Sequence, residues 1–123
     1  MAIHNEIGRN GEDKAVEYLK NKGFRIIERN WFYRQKEIDI IAMDKDTLVF
    51  VEVKTRSYDI FGSPIDAINR EKQKYIIEAA NAYIEKNNIE NEVRFDIVTV
   101  MLKKTGTEIE YIADAFYPRV KRF

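Results

Sequence analysis

Between Glu37 and Lys54 the chain runs Glu-Ile-Asp-Ile-Ile-Ala-Met-Asp-Lys-Asp-Thr-Leu-Val-Phe-Val-Glu-Val-Lys, two apolar stretches split by a short polar break. Ile38, Ile40, Ile41 and Ala42 make the first stretch a strand. Leu48 to Val53 make the second a nearly unbroken β-branched and aromatic run, the pattern of a strand covered on both faces. Upstream, residues 5–22 repeat with helical spacing through Ala15, Val16 and Leu19, with Ile7 before them, and stop at Gly23. Phe24 to Trp31 reads as a strand, and Asn30 to Lys36 as a polar connection carrying aromatic residues. Downstream, Thr55 to Ser63 reads as a loop with Arg56 and Tyr58 exposed, and Ser63-Pro64 opens a helical turn. Asn69 caps a helix over residues 70–87 whose apolar face is Tyr75/Ile76, Ala79/Ala80 and Tyr83/Ile84. A strand from Glu92 or Val93 to Leu102 places Phe95 and Ile97 on one face and Arg94, Asp96, Val98 and Val100 on the other. Lys103 to Gly106 turns into a short strand, Glu108 to Ile112. The order α-β-β-β-α-β-β predicts an α/β (α+β) fold, a mixed sheet flanked by helices.

Charged residues interrupt this pattern where a core strand should have none: Glu37, Asp39, Glu52 and Lys54. Alternation puts Glu37 and Asp39 on one face of their strand, and Glu52 and Lys54 on one face of theirs. A two-residue turn at Lys45-Asp46 and a four-residue turn from Asp44 to Thr47 give the same register. Both set Asp39 opposite Glu52, with Cβ atoms about 4.5–5.5 Å apart. The four-residue turn is favoured, because Lys45-Asp46 is poor hairpin chemistry and Asp44 suits the first position of a type I turn. Two facing carboxylates beside an ammonium call for a compensating partner, and a divalent cation suits carboxylate oxygens. The plainer alternative is an ion pair of Lys54 with Glu52 or Asp39 at a sheet edge. Glu12 falls on the apolar stripe of the first helix, either directed at this site or as an acid favoured by the helix dipole. Gly8 and Gly11 flank it and allow close backbone approach, by packing or by a ligand.

At 123 residues the chain is expected to form one domain over 1–116, followed by a basic aromatic tail, 117–123. It has no cysteine and one histidine, His4, which excludes disulfides, thiolate metal sites and His-rich zinc sites. No apolar run spans a membrane and no signal peptide is recognisable, so the expected location is the cytoplasm. Net charge is zero, which argues against a general nucleic-acid coat protein while leaving room for a local basic surface.

Glu37-Ile38-Asp39 followed by Phe50-Val51-Glu52-Val53-Lys54-Thr55-Arg56 resembles the PD-(D/E)xK signature of restriction-endonuclease-like nucleases. With Gly8, Gly11-Glu12, Arg94-Phe95-Asp96 and Asp114-Ala115-Phe116, the chain is similar to the bacterial YraN-like family of predicted endonucleases, which resemble archaeal Holliday-junction resolvases. The resemblance spans roughly residues 5–116. It implies the restriction-endonuclease-like fold, with Asp39 and Glu52 as metal ligands, Lys54 as the lysine of the site and Glu12 as an additional acid. Where the family usually carries a glycine before the Glu-Ile-Asp run, this chain has Lys36, which alters the backbone approach or adds a phosphate contact.

The function expected on this basis is Mg²⁺- or Mn²⁺-dependent hydrolysis of DNA phosphodiester bonds, in branched or structured DNA of repair or recombination. The Val53 carbonyl would be a third oxygen donor to the metal, and Lys54 would orient water or stabilise developing charge. Arg34, Lys36, Arg56, Arg70 and Lys72 are candidate phosphate contacts. Resolvase-like relatives imply a homodimer, and a repair or recombination protein is a further expected partner. The alternative is a non-catalytic nucleic-acid-binding or structural module of a DNA-processing complex.

Overall fold

The computed structural model describes residues 2–57 and 68–118. It contains α1 (Ala2–Asn21), β1 (Arg25–Tyr33), β2 (Lys36–Asp44), β3 (Thr47–Ser57), α2 (Arg70–Lys86), β4 (Val93–Lys103) and β5 (Gly106–Phe116), the predicted order. One sheet runs β1-β2-β3-β4-β5. Its first three strands are an antiparallel meander, β4 joins β3 in parallel, and β5 returns antiparallel to β4. The parallel step is possible because α2 lies in the connection from β3 to β4, where a hairpin could not reach. The two helices cover opposite faces. Ala15, Val16 and Leu19 of α1 pack on Ile40, Ala42, Val49, Val51, Val98 and Val100. Ile76, Ala79, Ala80 and Tyr83 of α2 pack on Ile38, Ile41, Leu48, Phe50 and Phe95. Strand β3 is therefore apolar on both faces, as its sequence required. No helix among the described residues is long and apolar enough to cross a membrane.

Gly23, at φ 97°, ends α1. Its N–H donates to the Lys20 carbonyl and that of Phe24 to the Leu19 carbonyl, the paired bonds of a left-handed helix cap. Asn69 caps α2, its side chain accepting from the Lys72 N–H at 2.8 Å. Several boundaries differ from those expected. The turn between β2 and β3 has two residues: Asp44 pairs with Thr47, and Lys45 takes a φ of 56°. Asp44 stays in the strand because its carboxylate accepts from the Arg94 guanidinium at 3.0 Å. The aromatic segment expected to be a connection is instead the end of β1, with Tyr33 paired to Lys36 across a turn at Arg34-Gln35. Strand β3 runs on to Ser57, and Arg56 is half-buried rather than exposed. Strand β5 runs to Phe116, bulged beside Asp114, whose φ is 54°. Tyr75, expected on the apolar face of α2, is 40% exposed. The expected turn at Ser63-Pro64, the exposed Tyr58 and the tail beyond residue 118 lie outside the described residues.

The Arg94-Phe95-Asp96 stretch builds a buried polar knot. Asp96 is fully buried and accepts from Arg94 Nε at 2.9 Å and Nη2 at 3.0 Å, from the Tyr111 hydroxyl, and from the Asp114 N–H at 2.8 Å. A buried carboxylate persists only when its lone pairs are filled, and here four donors fill them. The knot ties β4 and β5 together and, through Asp44, anchors the end of β2.

Candidate active site

The site forms where β1 and β2 change faces. In regular strands Arg29 and Trp31 would share a face. Arg29 instead reaches α1, pairing with Glu12 at 3.2 Å and Asp13 at 2.7 Å. Trp31 turns to α2, edge-on to Tyr83 with centroids 5.2 Å apart. Between them Asn30 has a φ of 52°, and this left-handed step resets the alternation. The same slip occurs across the ladder: Ile38 packs under α2 and Ile40 under α1, with Asp39 between them. The pairs Trp31–Ile38 and Arg29–Ile40 flank Asn30 and Asp39, so the two irregular residues stand at one level of the ladder.

Four carboxylates from three elements meet at this level. One oxygen from each of Glu12, Glu37 and Asp39 lies within 4.8 Å of the others. The Asn30 side-chain amide donates to Glu12 Oε2 at 3.0 Å and to Glu37 Oε2 at 2.7 Å, bridging two acids that would otherwise repel. Glu52, 8% exposed, is the fourth. The regular β2–β3 ladder ends at Ile40–Val51, one step short of Asp39 and Glu52. There the Asp39 carboxylate takes the Val53 N–H at 2.8 Å, so the side chain substitutes for a strand contact. Glu12 is brought in by Gly11, whose place a Cβ could not share: it would lie 2.1 Å from Thr55 Oγ1 and 3.0 Å from Thr55 Cβ. Of the two openings that Gly11 left at the sequence level, packing against β3 is the one occupied.

Burial pushes the Asp39 carboxyl up to about 8; the charge of Glu52 and then that of Glu37 add to the rise, and the Val53 N–H opposes it. Burial raises Glu52 as well, against the pull of Lys72. Asp39 and Glu52 therefore behave as a pair in which the uncharged form of one is favoured. The cation on Glu52 is Lys72, at 3.5 Å from the first turn of α2. Lys54 is half-buried, on the same strand face as Glu52, and forms no ion pair with a carboxylate among the described residues.

The structure thus gathers Glu12, Asp39 and Glu52 and brings the Val53 N–H onto Asp39, whereas Lys54 shares the strand face of Glu52 without pairing with any of these acids. Among the candidate phosphate contacts, Lys36 pairs with Glu78 at 3.7 Å and lies over the Tyr75 ring, and Lys72 is engaged by Glu52. Arg34 lies over the Tyr33 ring at the β1–β2 turn, and Arg70 opens α2, exposed. Sequence reasoning missed Asn30 and Arg29. The available signal was an asparagine inside an aromatic strand run, a position that strand preference disfavours.

The profile of a family described as "Uncharacterised protein family UPF0102" matches residues 11–100. A UPF0102 protein of Christiangramia forsetii is 46% identical over 95% of this chain and 98% of its own. One of Parabacteroides distasonis is 48% identical over 95% and 97%, and one of Phocaeicola vulgatus 45% identical over 98% and 99%.

Proposed function

Because the chain belongs to the uncharacterised protein family UPF0102, the YraN family, whose description assigns no chemistry, we propose its function from the site itself. It is a Mg²⁺- or Mn²⁺-dependent endonuclease that hydrolyses phosphodiester bonds of branched or structured DNA. The observation that carries this reading is the convergence of Glu12, Glu37, Asp39 and Glu52 at one break in the sheet. Folding gains nothing from such a cluster, since like charges beside a core are destabilising. A non-catalytic binder gains nothing either, because carboxylates repel phosphates.

The donor set fits a hard divalent cation: oxygens of Glu12, Glu37 and Asp39 lie within 4.8 Å of one another, and burial holds both Asp39 and its neighbour Glu52 above their ordinary range. Asp39 and Glu52 would hold the ion, with the Val53 carbonyl as a further donor and Glu12 and Glu37 alongside. When bound, the ion supplies charge neutralisation at the phosphate and a more acidic water. The chain's own groups do the rest. Asn30 and Arg29 fix the orientation of Glu12, and Asn30 fixes Glu37. Lys54 stabilises negative charge as it develops on the phosphate oxygens. Lys72 pairs with Glu52 at 3.5 Å, and with that carboxylate committed to an ion its ammonium would be available to a DNA phosphate. Arg34, Arg56 and Arg70 supply phosphate contacts that position the strand without reading its sequence.

The test is a panel of linear, flapped and four-way DNA with Mg²⁺, Mn²⁺ or EDTA. Asp39→Ala, Glu52→Ala and Lys54→Ala should each lose cleavage by about 100-fold or more, while DNA binding is largely kept. Variants that cut like the wild type would reject the assignment.

A further inference from the structure

Beside the carboxylates, between the β1–β2 hairpin and the start of α2, lies a groove of about 420 Å³ lined by Phe32, Gln35, Lys36, Glu37, Lys72 and Tyr75. That volume falls within the roughly 300–1,000 Å³ of small-ligand sites. Resting on the nuclease reading for its substrate, we propose that this groove is a stacking subsite for an unpaired base of the DNA strand, next to the bond to be cut. Phe32 is 58% exposed and Tyr75 40%, although both are large enough to be core residues. Two exposed rings share this groove with the Lys36 and Lys72 ammonium groups, now paired with Glu78 and Glu52, which a strand phosphate would compete for while a flat base meets the rings.

The register fixes the distance from this groove to the chemistry. Phe32 pairs directly with Glu37, one of the clustered acids. Lys72 lines the groove and contacts Glu52 at 3.5 Å. Lys36 Nζ lies 5.4 Å from the centre of the Tyr75 ring, so cation and aromatic face are already associated. In a duplex both faces of each base are occupied by neighbours. A base splayed at a flap or junction has a free face, and the groove selects for it. Stacking on aromatic rings does not depend on base identity, so structure rather than sequence is selected.

The experiment reads binding, in EDTA and at matched salt, so that no cleavage is involved. Fluorescence anisotropy is measured with a 12-nucleotide single strand, a flapped duplex and a blunt duplex. Phe32→Ala and Tyr75→Ala should each weaken single-strand and flap binding about tenfold, leaving the blunt duplex nearly unchanged. Phe32→Trp should keep the affinity, and Phe32→Leu, which retains apolar bulk without a ring, should lose it. Both rings are exposed, so melting curves of the variants should match the wild type. A 2-aminopurine base in the single strand should be quenched by the wild type and not by Tyr75→Ala. Equal affinity of wild type and ring variants for all three DNAs, or equal losses on all three, overturns the subsite. Ring-dependent binding by a protein that never cuts DNA sustains the subsite and rejects the nuclease.

Discussion

Asparagine is a poor strand residue, yet Asn30 sits inside β1 with a φ of 52°, a conformation its short side chain tolerates better than most. The local cost is offset by two hydrogen bonds to Glu12 and Glu37. That trade was not legible in the sequence, where Asn30 read as the start of a connection. Asp39 and Glu52 were legible, because charges in an apolar run are conspicuous and strand parity could be counted. What parity could not show is the protonation that burial imposes. Asp39 lies at about 8 in the fold, well above its ordinary value near 3.8. The folded state therefore keeps a proton that the unfolded chain releases above about pH 4. That contribution to stability is full below the unfolded value and is lost as pH rises towards 8. Metal-free wild type should accordingly lose several degrees of melting temperature between pH 5 and pH 8.5 relative to Asp39→Asn, which carries no titrating group there. Thermal melts across that range decide it, and parallel curves would remove the shared-proton account.

At the scale of elements, strands and helices followed from periodicity, whereas turns did not. The β2–β3 turn at Lys45-Asp46 violates hairpin preference, and a distant partner decides it: Arg94, fifty residues away, holds Asp44 in the strand. No local rule contains that ion pair. The extension of β1 through Trp31, Phe32 and Tyr33 has the same origin, since pairing with Lys36, Glu37 and Ile38 organises a segment whose composition suggested a loop. The contact of α1 with β3 was anticipated only as two glycines that permit close approach. Its geometry makes a quantitative expectation. A methyl at position 11 would collide with all three side-chain heavy atoms of Thr55, two carbons and the oxygen, at 2.1–3.0 Å, two of those atoms branching from a Cβ fixed by the strand. Gly11→Ala should destabilise the protein by about 1–3 kcal/mol despite its better helix propensity. Adding Thr55→Ala removes the two closest atoms and should recover most of the loss in denaturant unfolding. Recovery absent from the double variant would show that α1 is held by something other than this contact. Because Glu12 follows Gly11, the single variant should also displace an acid of the site.

For the molecule as a whole, the two helices and the Asp96 knot hold a sheet whose acidic break is a local liability. Zero net charge gives no general repulsion to spread that liability over the surface. It is concentrated at Glu12, Glu37, Asp39 and Glu52, and only Arg29 and Lys72 offset it by ion pairing among the described residues. A divalent ion bound to the folded chain alone should therefore stabilise the entire domain by RT ln(1 + [M]/Kd). At metal concentrations about 10–100 times Kd this is about 1–3 kcal/mol, or several degrees of melting temperature for a domain of this size. The effect should grow from pH 6 to pH 8, since the ion must displace the proton shared by Asp39 and Glu52. Asp39→Ala should abolish the response, and above about pH 8, where Asp39 has lost its proton, should itself melt higher than wild type without metal, because it removes one of the crowded charges. Sodium-matched controls separate binding from ionic screening. A melting temperature unmoved by millimolar Mg²⁺ and Mn²⁺, both alone and with an uncleavable flapped DNA bound, would mean that the four carboxylates are not a metal site.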